Sequence, residues 1–199
     1  MQLKKTSLLL LIMSSILFAR EESVRVYFSE DQIADRLIEA IDSETVSLKV
    51  AVYNITHRGI IDAVIRAKHR GVAVEVVVDP SSLRNAATMS RLIEGKVPLF
   101  VWEKGIKMKQ EGKRKGLMHD KFCVFGGDKV WTGSFNFTYD AANRHRENAL
   151  LVQDRKIAGQ YLAQFSKIQS SESRPYHEYK ALYPKKKKQK KSFGGMIKP

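Results

Sequence analysis

The residues best suited to chemistry fall in one block, His119 to Thr138, HDKFCVFGGDKVWTGSFNFT. His119 and Lys121 are two apart, so on a strand both side chains project from one face. Ser134 and Asn136, in Gly133-Ser134-Phe135-Asn136, share that relation at the end of the next apolar run. If the two runs pair as a hairpin, one face gathers an imidazole, an ammonium, a hydroxyl and an amide. That set suits a phosphodiester: a histidine can attack phosphorus, while Lys121 and Asn136 supply charge and hydrogen bonds to the non-bridging oxygens. Neither cluster is informative alone, because His-x-Lys occurs by chance and a Gly-Ser turn with Asn is ordinary turn chemistry. Their combination on adjacent strands, beside a strongly basic segment, favours function.

The elements that must position these residues alternate between strand and helix. Strands are expected at 24–28, 45–53, 73–78, 99–102, 121–125, 130–132 and 148–152, where β-branched and apolar residues concentrate. Helices are expected at 31–42, opened by Ser29 and Gln32 as a capping box, at 59–70 with Thr56 as cap, at 83–94 and at 155–168. The pattern predicts an α/β fold, a mixed β-sheet flanked by helices on both faces. Residues 103–116 carry Lys104, Lys107, Lys109, Lys113, Arg114 and Lys115 with three glycines, and read as a basic loop able to grip a phosphate backbone. The domain is expected to span 20–168, with a polar, lysine-rich flexible tail over 169–199.

Composition narrows the setting. Of the 199 residues 43% are hydrophobic, enough for a core, and 35 Lys+Arg against 21 Asp+Glu give a net charge of +14. Such an excess favours polyanionic partners, either nucleic acid or an anionic membrane surface. Lys4 and Lys5 precede an apolar run from Thr6 to Ala19. As a helix, that run would span roughly 21 Å, short of a bilayer core of roughly 30 Å. Residues 1–19 therefore read as a signal peptide, with a retained membrane anchor as the alternative. The expected location is the periplasm or a membrane surface of a bacterium, or outside the cell. Cys123 is the only cysteine and lies in an apolar run, so it is expected to be a buried, inert thiol and to offer neither a disulfide nor a thiolate zinc site.

The block HDKFCVF followed by TGSFNFT resembles the signature of the phospholipase D superfamily, and most closely its small single-motif bacterial endonucleases of the Nuc and NucT type. The likeness extends through AIDSETVSLKVAVYNIT, AKHRGVAVEVVVD and ENALLV. It implies that His119 is a nucleophile forming a phosphohistidine and that Lys121 and Asn136 hold phosphate oxygens. Ser134 would bond within the same pocket, and Glu147 would orient the histidine. It also implies that no metal or other cofactor is needed. One departure stands out: the family's Asp falls seven residues after the histidine, where this chain has Gly126, with Asp128 two places later. The turn is expected to be rebuilt by Gly126, Gly127 and Asp128.

A histidine nucleophile leaves the departing alkoxide without a proton donor, although a positioned acid is worth roughly 10² to 10⁴ in rate. Of the other histidines, His69 and His177 read as solvated, while His57 and His145 stay open as donors, although none of the four has a matching lysine and Gly-Ser-Asn partner. A symmetric homodimer placing two His119 side chains across one shared site answers this, and the resemblance implies the same. The expected function is thus an exported, metal-independent endonuclease acting on DNA, including single strands, or on RNA. A lipid phosphodiesterase of the phospholipase D type and a non-catalytic nucleic-acid-binding protein are the alternatives. Tyr53, Trp102, Phe135 and Phe137 are candidate stacking platforms or core residues.

Overall fold

The computed structural model describes residues 23–114 and 116–184. The N-terminal apolar segment, Lys115 and the lysine run from 185 onward lie outside the described residues. Eight strands form one mixed sheet in the order β1-β7-β6-β5-β2-β3-β4-β8. These are β1 Val24–Phe28, β2 Ser47–Val52, β3 Ala73–Val78, β4 Leu99–Trp102, β5 Lys121–Phe125, β6 Lys129–Gly133, β7 Asn148–Gln153 and β8 Ser173–Pro175. β2, β3 and β4 run parallel, while β5, β6 and β7 form an antiparallel meander joined to β2.

The central strands are apolar on both faces, as strands covered by helices on both sides must be. Leu48, Val50 and Val52 of β2 join Cys123, Phe125 and Trp131 in the larger core cluster, packed with α1 Ile33–Asp42, α2 Arg58–His69 and α3 Ala86–Glu94. The alternate residues Ala51, Val77, Phe122, Val124 and Val130 face the opposite way, against Ala158, Phe165 and Ile168 of α6 Arg155–Glu172. The expected α/β architecture, a mixed sheet with helices on both faces, is therefore the observed one. Cys123 is fully buried, and burial pushes its thiol pKa far up.

Several local expectations differ. Ser29 does not cap α1; residues Ser29–Asp31 form a 3-10 turn, Gln32 adopts a left-handed conformation, and the helix begins at Ile33. α2 is capped by the ring nitrogen of His57, rather than by Thr56, and α3 by Asn85 after a 3-10 turn at Pro80–Arg84. At α2 and α3 the capping side chain accepts from an orphan backbone N–H, whereas α1 begins with no side-chain cap. The basic segment is not wholly a loop, because Lys104–Gln110 forms the helix α4. Lysines are good helix formers, and the pair Lys107–Glu103 at i, i+4 supports the first turn.

The tail boundary at 169 is also displaced. α6 continues to Glu172, β8 pairs with β4, and α7 Tyr176–Leu182 buries Tyr179. The reason is an ion cluster that no linear pattern reveals. Glu103, 3% exposed at the end of β4, receives both arms of Arg174 at 3.0 Å and Lys107 at 2.7 Å. Burial pushes the Glu103 carboxyl pKa up, but the bonds from Arg174 and Lys107 outweigh this and hold it below its ordinary value.

The turn at Gly126 is rebuilt by glycine. Gly126 and Gly127 have φ of 56° and 85°, and Asp128 N–H closes the turn on the Phe125 carbonyl at 3.2 Å. A β-carbon on Gly126 would lie 3.6 Å from both carboxylate oxygens of Glu44. That carboxylate is nearly buried and already accepts from the backbone N–H groups of Thr45, Val46 and Ser47. An aspartate here would meet another carboxylate.

Two outcomes follow. Restoring the superfamily residue by Gly126→Asp should destabilise the fold by about 1–2 kcal/mol, through the left-handed backbone and like charge, and a thermal melt that rises instead refutes this. Arg174→Ala should cost about 2 kcal/mol and open residues 173–184 to limited proteolysis. Because the Glu103 pKa is lowered by folding, its contribution is complete above the ordinary glutamate value and is lost as pH falls through the lowered one. Glu103→Gln should flatten that acid limb in a stability-against-pH series.

Candidate active site

The site lies at one end of the sheet, where β2 and β3 finish and β5 begins. Asp79, just beyond β3, is fully buried and fixes the approach to β5: its carboxylate accepts from Ser81 N–H at 2.8 Å and Met118 N–H at 3.0 Å. Tyr53 N–H donates to the Asp120 carbonyl at 2.8 Å, extending the β2–β5 pairing by one step. The polar pair His119 and Lys121 is thereby held against the ring of Tyr53. The His119 ring centroid lies 4.7 Å from that of Tyr53, and the Lys121 ammonium lies 5.6 Å from it.

Lys121 is the buried member, 7% exposed, while His119 is exposed. The ammonium donates to the His119 carbonyl at 2.7 Å and sits 3.2 Å from its Nδ1. Burial lowers the Lys121 pKa, with Glu147 and Asp120 pulling it the other way. A cation taken out of water beside an exposed imidazole is a strong local field for an anion arriving at that ring.

The second cluster arrives through the β5–β6 hairpin, in the register Phe122↔Thr132, which brings Gly133 to the level of Lys121. At Gly133 only glycine fits, since a β-carbon would lie 2.2 Å from the Asn148 carbonyl oxygen and 2.8 Å from Ala149 Cα. The close approach lets Ser134 N–H donate to the Asn148 carbonyl and lets its hydroxyl serve as hub, accepting from Asn148 N–H at 3.1 Å and donating to Glu147 Oε2 at 2.5 Å. Beyond it, the chain crosses the loop after β2, with Phe137 N–H bonded to the Asn54 carbonyl at 3.1 Å. Asn136 is half-buried there, and its Oδ1 is buried without a protein partner. An amide oxygen left unsatisfied in a native site marks a side chain free to engage a ligand, through Oδ1 as acceptor or Nδ2 as donor.

Glu147 makes no bond to the His119 of its own chain. Within one chain its carboxylate is bonded to Ser134 rather than to His119, and His145 Nδ1 stands 3.9 Å from its other oxygen. Its backbone N–H donates to Ser29 Oγ at 2.7 Å, so the residue expected to cap a helix instead fixes the acid. His57 is occupied as a helix cap, and burial lowers its pKa, with Asp35 opposing. Phe135 and Phe137 are core residues, whereas Trp102 and Tyr53 border the site.

The basic segment is partly neutralised. Lys104 pairs with Glu172 at 2.6 Å, Lys107 with Glu103 at 2.7 Å and Lys113 with Glu111 at 2.8 Å. Lys109 and Arg114 are exposed and form no ion pair among the described residues. Asp79 and Asp120 were not singled out from the sequence. The signal was available, since ligands of open α/β sheets gather beyond the carboxyl ends of parallel strands, where Asp79 stands. Among the described residues no group of three His, Cys, Asp or Glu side chains is arranged to hold a metal ion, and no helix is long and apolar enough to cross a membrane.

A mixed sheet with a His-x-Lys strand beside a Gly-Ser-x-Asn turn defines a phospholipase D-like domain, and residues 37–169 match the family described as "Cardiolipin synthase, PLD-like domain". The chain belongs to that family, within the phospholipase D superfamily. Among solved structures it is similar to Nuc from Salmonella typhimurium, described as a phospholipase D family member, at 28% identity with a TM-score of 0.67, covering 77% of this chain and 97% of that one. NucT from Helicobacter pylori follows at 25% identity and a TM-score of 0.64, covering 74% and 97%. A phospholipase D of Rickettsia prowazekii is 32% identical over 127 residues, 63% of this chain and 57% of that protein. A mitochondrial cardiolipin hydrolase of Xenopus tropicalis is 31% identical over 138 residues, 69% and 61%. The chain spans little more than half the length of these curated relatives.

Burial of Lys121 predicts that its ammonium, followed by NMR of labelled lysine side chains, titrates below the ordinary lysine value of 10.5. Because folding lowers this pKa, the unfolded chain holds the proton more tightly, so the term opposes folding at neutral pH and fades as pH rises past the ordinary value. Titration at or above 10.5 rejects the burial account.

Proposed function

We propose that the protein is a phosphodiesterase whose preferred substrate is nucleic acid, and that it works without a metal ion. The observation that carries this reading is the buried ammonium of Lys121 against His119, with the unengaged Asn136 amide on the adjoining turn. In the reaction, His119 attacks phosphorus and the bond to one ester oxygen breaks. Lys121 and the Nδ2 amine of Asn136 donate to the non-bridging oxygens as charge builds on them. Water then cleaves the phosphorus–nitrogen bond and releases a phosphomonoester.

The departing oxygen needs a proton, and a second subunit facing the first across a two-fold axis supplies it from its own His119. Glu147 is held by Ser29 and Ser134, and its Oε1, which makes no hydrogen bond among the described residues, is left to a histidine of the second subunit. Nucleic acid is favoured over lipid by a fold that matches Nuc and NucT over 97% of their length, and the net charge of +14 suits a polyanion. The exposed Lys109 and Arg114, and the lysine run near the C-terminus, add sequence-independent attraction to a phosphate backbone. The apolar N-terminal run supports action outside the cytoplasm, as an exported or membrane-held enzyme.

The test is purified protein in EDTA with single-stranded DNA, duplex DNA, RNA and phosphatidylcholine vesicles. Nucleic-acid cleavage should persist in EDTA. It should fall by at least about 10³-fold in His119→Ala, which should still show a native melt, since losing a covalent nucleophile is costly. Lipid turnover without nucleic-acid cleavage sinks the nuclease reading. Full activity in a verified monomer sinks the shared site.

A further inference from the structure

Along the strand that carries His119 and Lys121, the intervening side chains point the other way. Met118 and Phe122 accordingly belong to the core cluster on the α6 side, and Asp120 faces the same side. There a cleft of about 380 Å³ lies between β4 and α6, bordered by His119 and Asp120 at one end and by Trp102, Leu117, Gln164 and Glu172. Its polarity is opposite to that of the molecule. In a chain of net charge +14 its lining holds two carboxylates and neither a lysine nor an arginine.

The two carboxylates are not equivalent. Glu172 is satisfied, receiving Trp102 Nε1 at 2.9 Å and Lys104 Nζ at 2.6 Å. Asp120 is half-buried, and its side chain accepts no hydrogen bond among the described residues. Burial raises its pKa, against the pull of Lys121 and His119. A half-buried carboxylate with no protein donor keeps its acceptor capacity free, for water or for donor groups of whatever enters the cleft. A flat ring with N–H groups on its edge suits it: Trp102 and the exposed Leu117 give apolar wall, the Gln164 amide a further polar contact, and Asp120 the acceptor.

We infer that this cleft is a base-recognition subsite, in which Asp120 accepts hydrogen bonds from a nucleobase next to the scissile phosphate and selects guanine. The inference rests on the nuclease reading above. Guanine presents two adjacent donors, its ring N1–H and its exocyclic amine, which match a carboxylate in the bidentate manner. Cytosine and adenine offer an exocyclic amine beside a ring acceptor. Thymine and uracil flank their single N–H with two carbonyls that repel the anion.

The test measures kcat/KM in EDTA on oligothymidylates carrying one dG, dC or dA, with cut positions mapped. Wild type should cut beside dG over dT by roughly five- to tenfold, the low end for one carboxylate–base pairing. In Asp120→Ala the ratio should collapse to about one, whatever the absolute rate, because the anion that discriminates is gone. Asp120→Asn keeps the shape, covers a failure of the alanine variant to fold, and should move the ratio toward dT by offering a donor to its carbonyls. Equal cutting by wild type, or a ratio that neither variant alters, overturns the subsite while leaving the nuclease reading intact. No cleavage of any oligonucleotide, with turnover of phosphatidylethanolamine vesicles in its place, overturns the nuclease reading itself.

Discussion

An ammonium group sits at the end of a strand whose other four residues are wholly apolar, and everything around it answers to that placement. Lys121 is carried into the protein by Phe122, Cys123, Val124 and Phe125, which bury both faces of β5 at the centre of the sheet. Its charge is tolerable only because the sheet ends there, leaving it a backbone carbonyl, an imidazole, the face of Tyr53 and the distant pull of Glu147. The core therefore fixes a cation with the rigidity of a packed side chain, and chemistry at the exposed His119 inherits that precision.

The same logic explains the crowding at Gly133. A hairpin delivers Ser134 to the right height, but only the absence of a β-carbon lets β6 close on β7 enough for one hydroxyl to tie Asn148 and Glu147 together. The order of the sheet gathers residues far apart in sequence: Tyr53 from the end of β2, Asp79 from the end of β3, the His-Lys pair entering β5, and Ser134 leaving β6.

Much of this was legible in the sequence because it follows two short-range periods. Near-continuous apolar runs in SLKVAV and AVEVVV mark strands covered on both faces, and the i, i+2 spacing of His119 with Lys121 fixes their common side. What could not be read were bonds across long sequence separations. Nothing near Ser29 announces that its hydroxyl will hold Glu147, and nothing in the polar stretch after Ile168 shows that Arg174 will find Glu103 beneath it. The basic segment misled for a related reason: lysines that look free in a line become partners of Glu103, Glu111 and Glu172 once the chain is folded. The bond from Ser134 to Glu147 spans thirteen residues and is likewise invisible in a linear pattern.

The bond between Ser29 and Glu147 has a further consequence. β1 is an edge strand held by β7 alone, in the register Phe28↔Asn148, and Ser29 is the residue immediately after it. A slip of one residue would exchange the inward face of Arg25 and Tyr27 for that of Val24, Val26 and Phe28, and would take the serine hydroxyl away from the Glu147 N–H. The site's acid is therefore wired to the threading of the outermost strand. A chain whose first element is misaligned keeps most of its core but not the anchored position of Glu147, so that order beside the His-Lys pair depends on correct assembly at the margin.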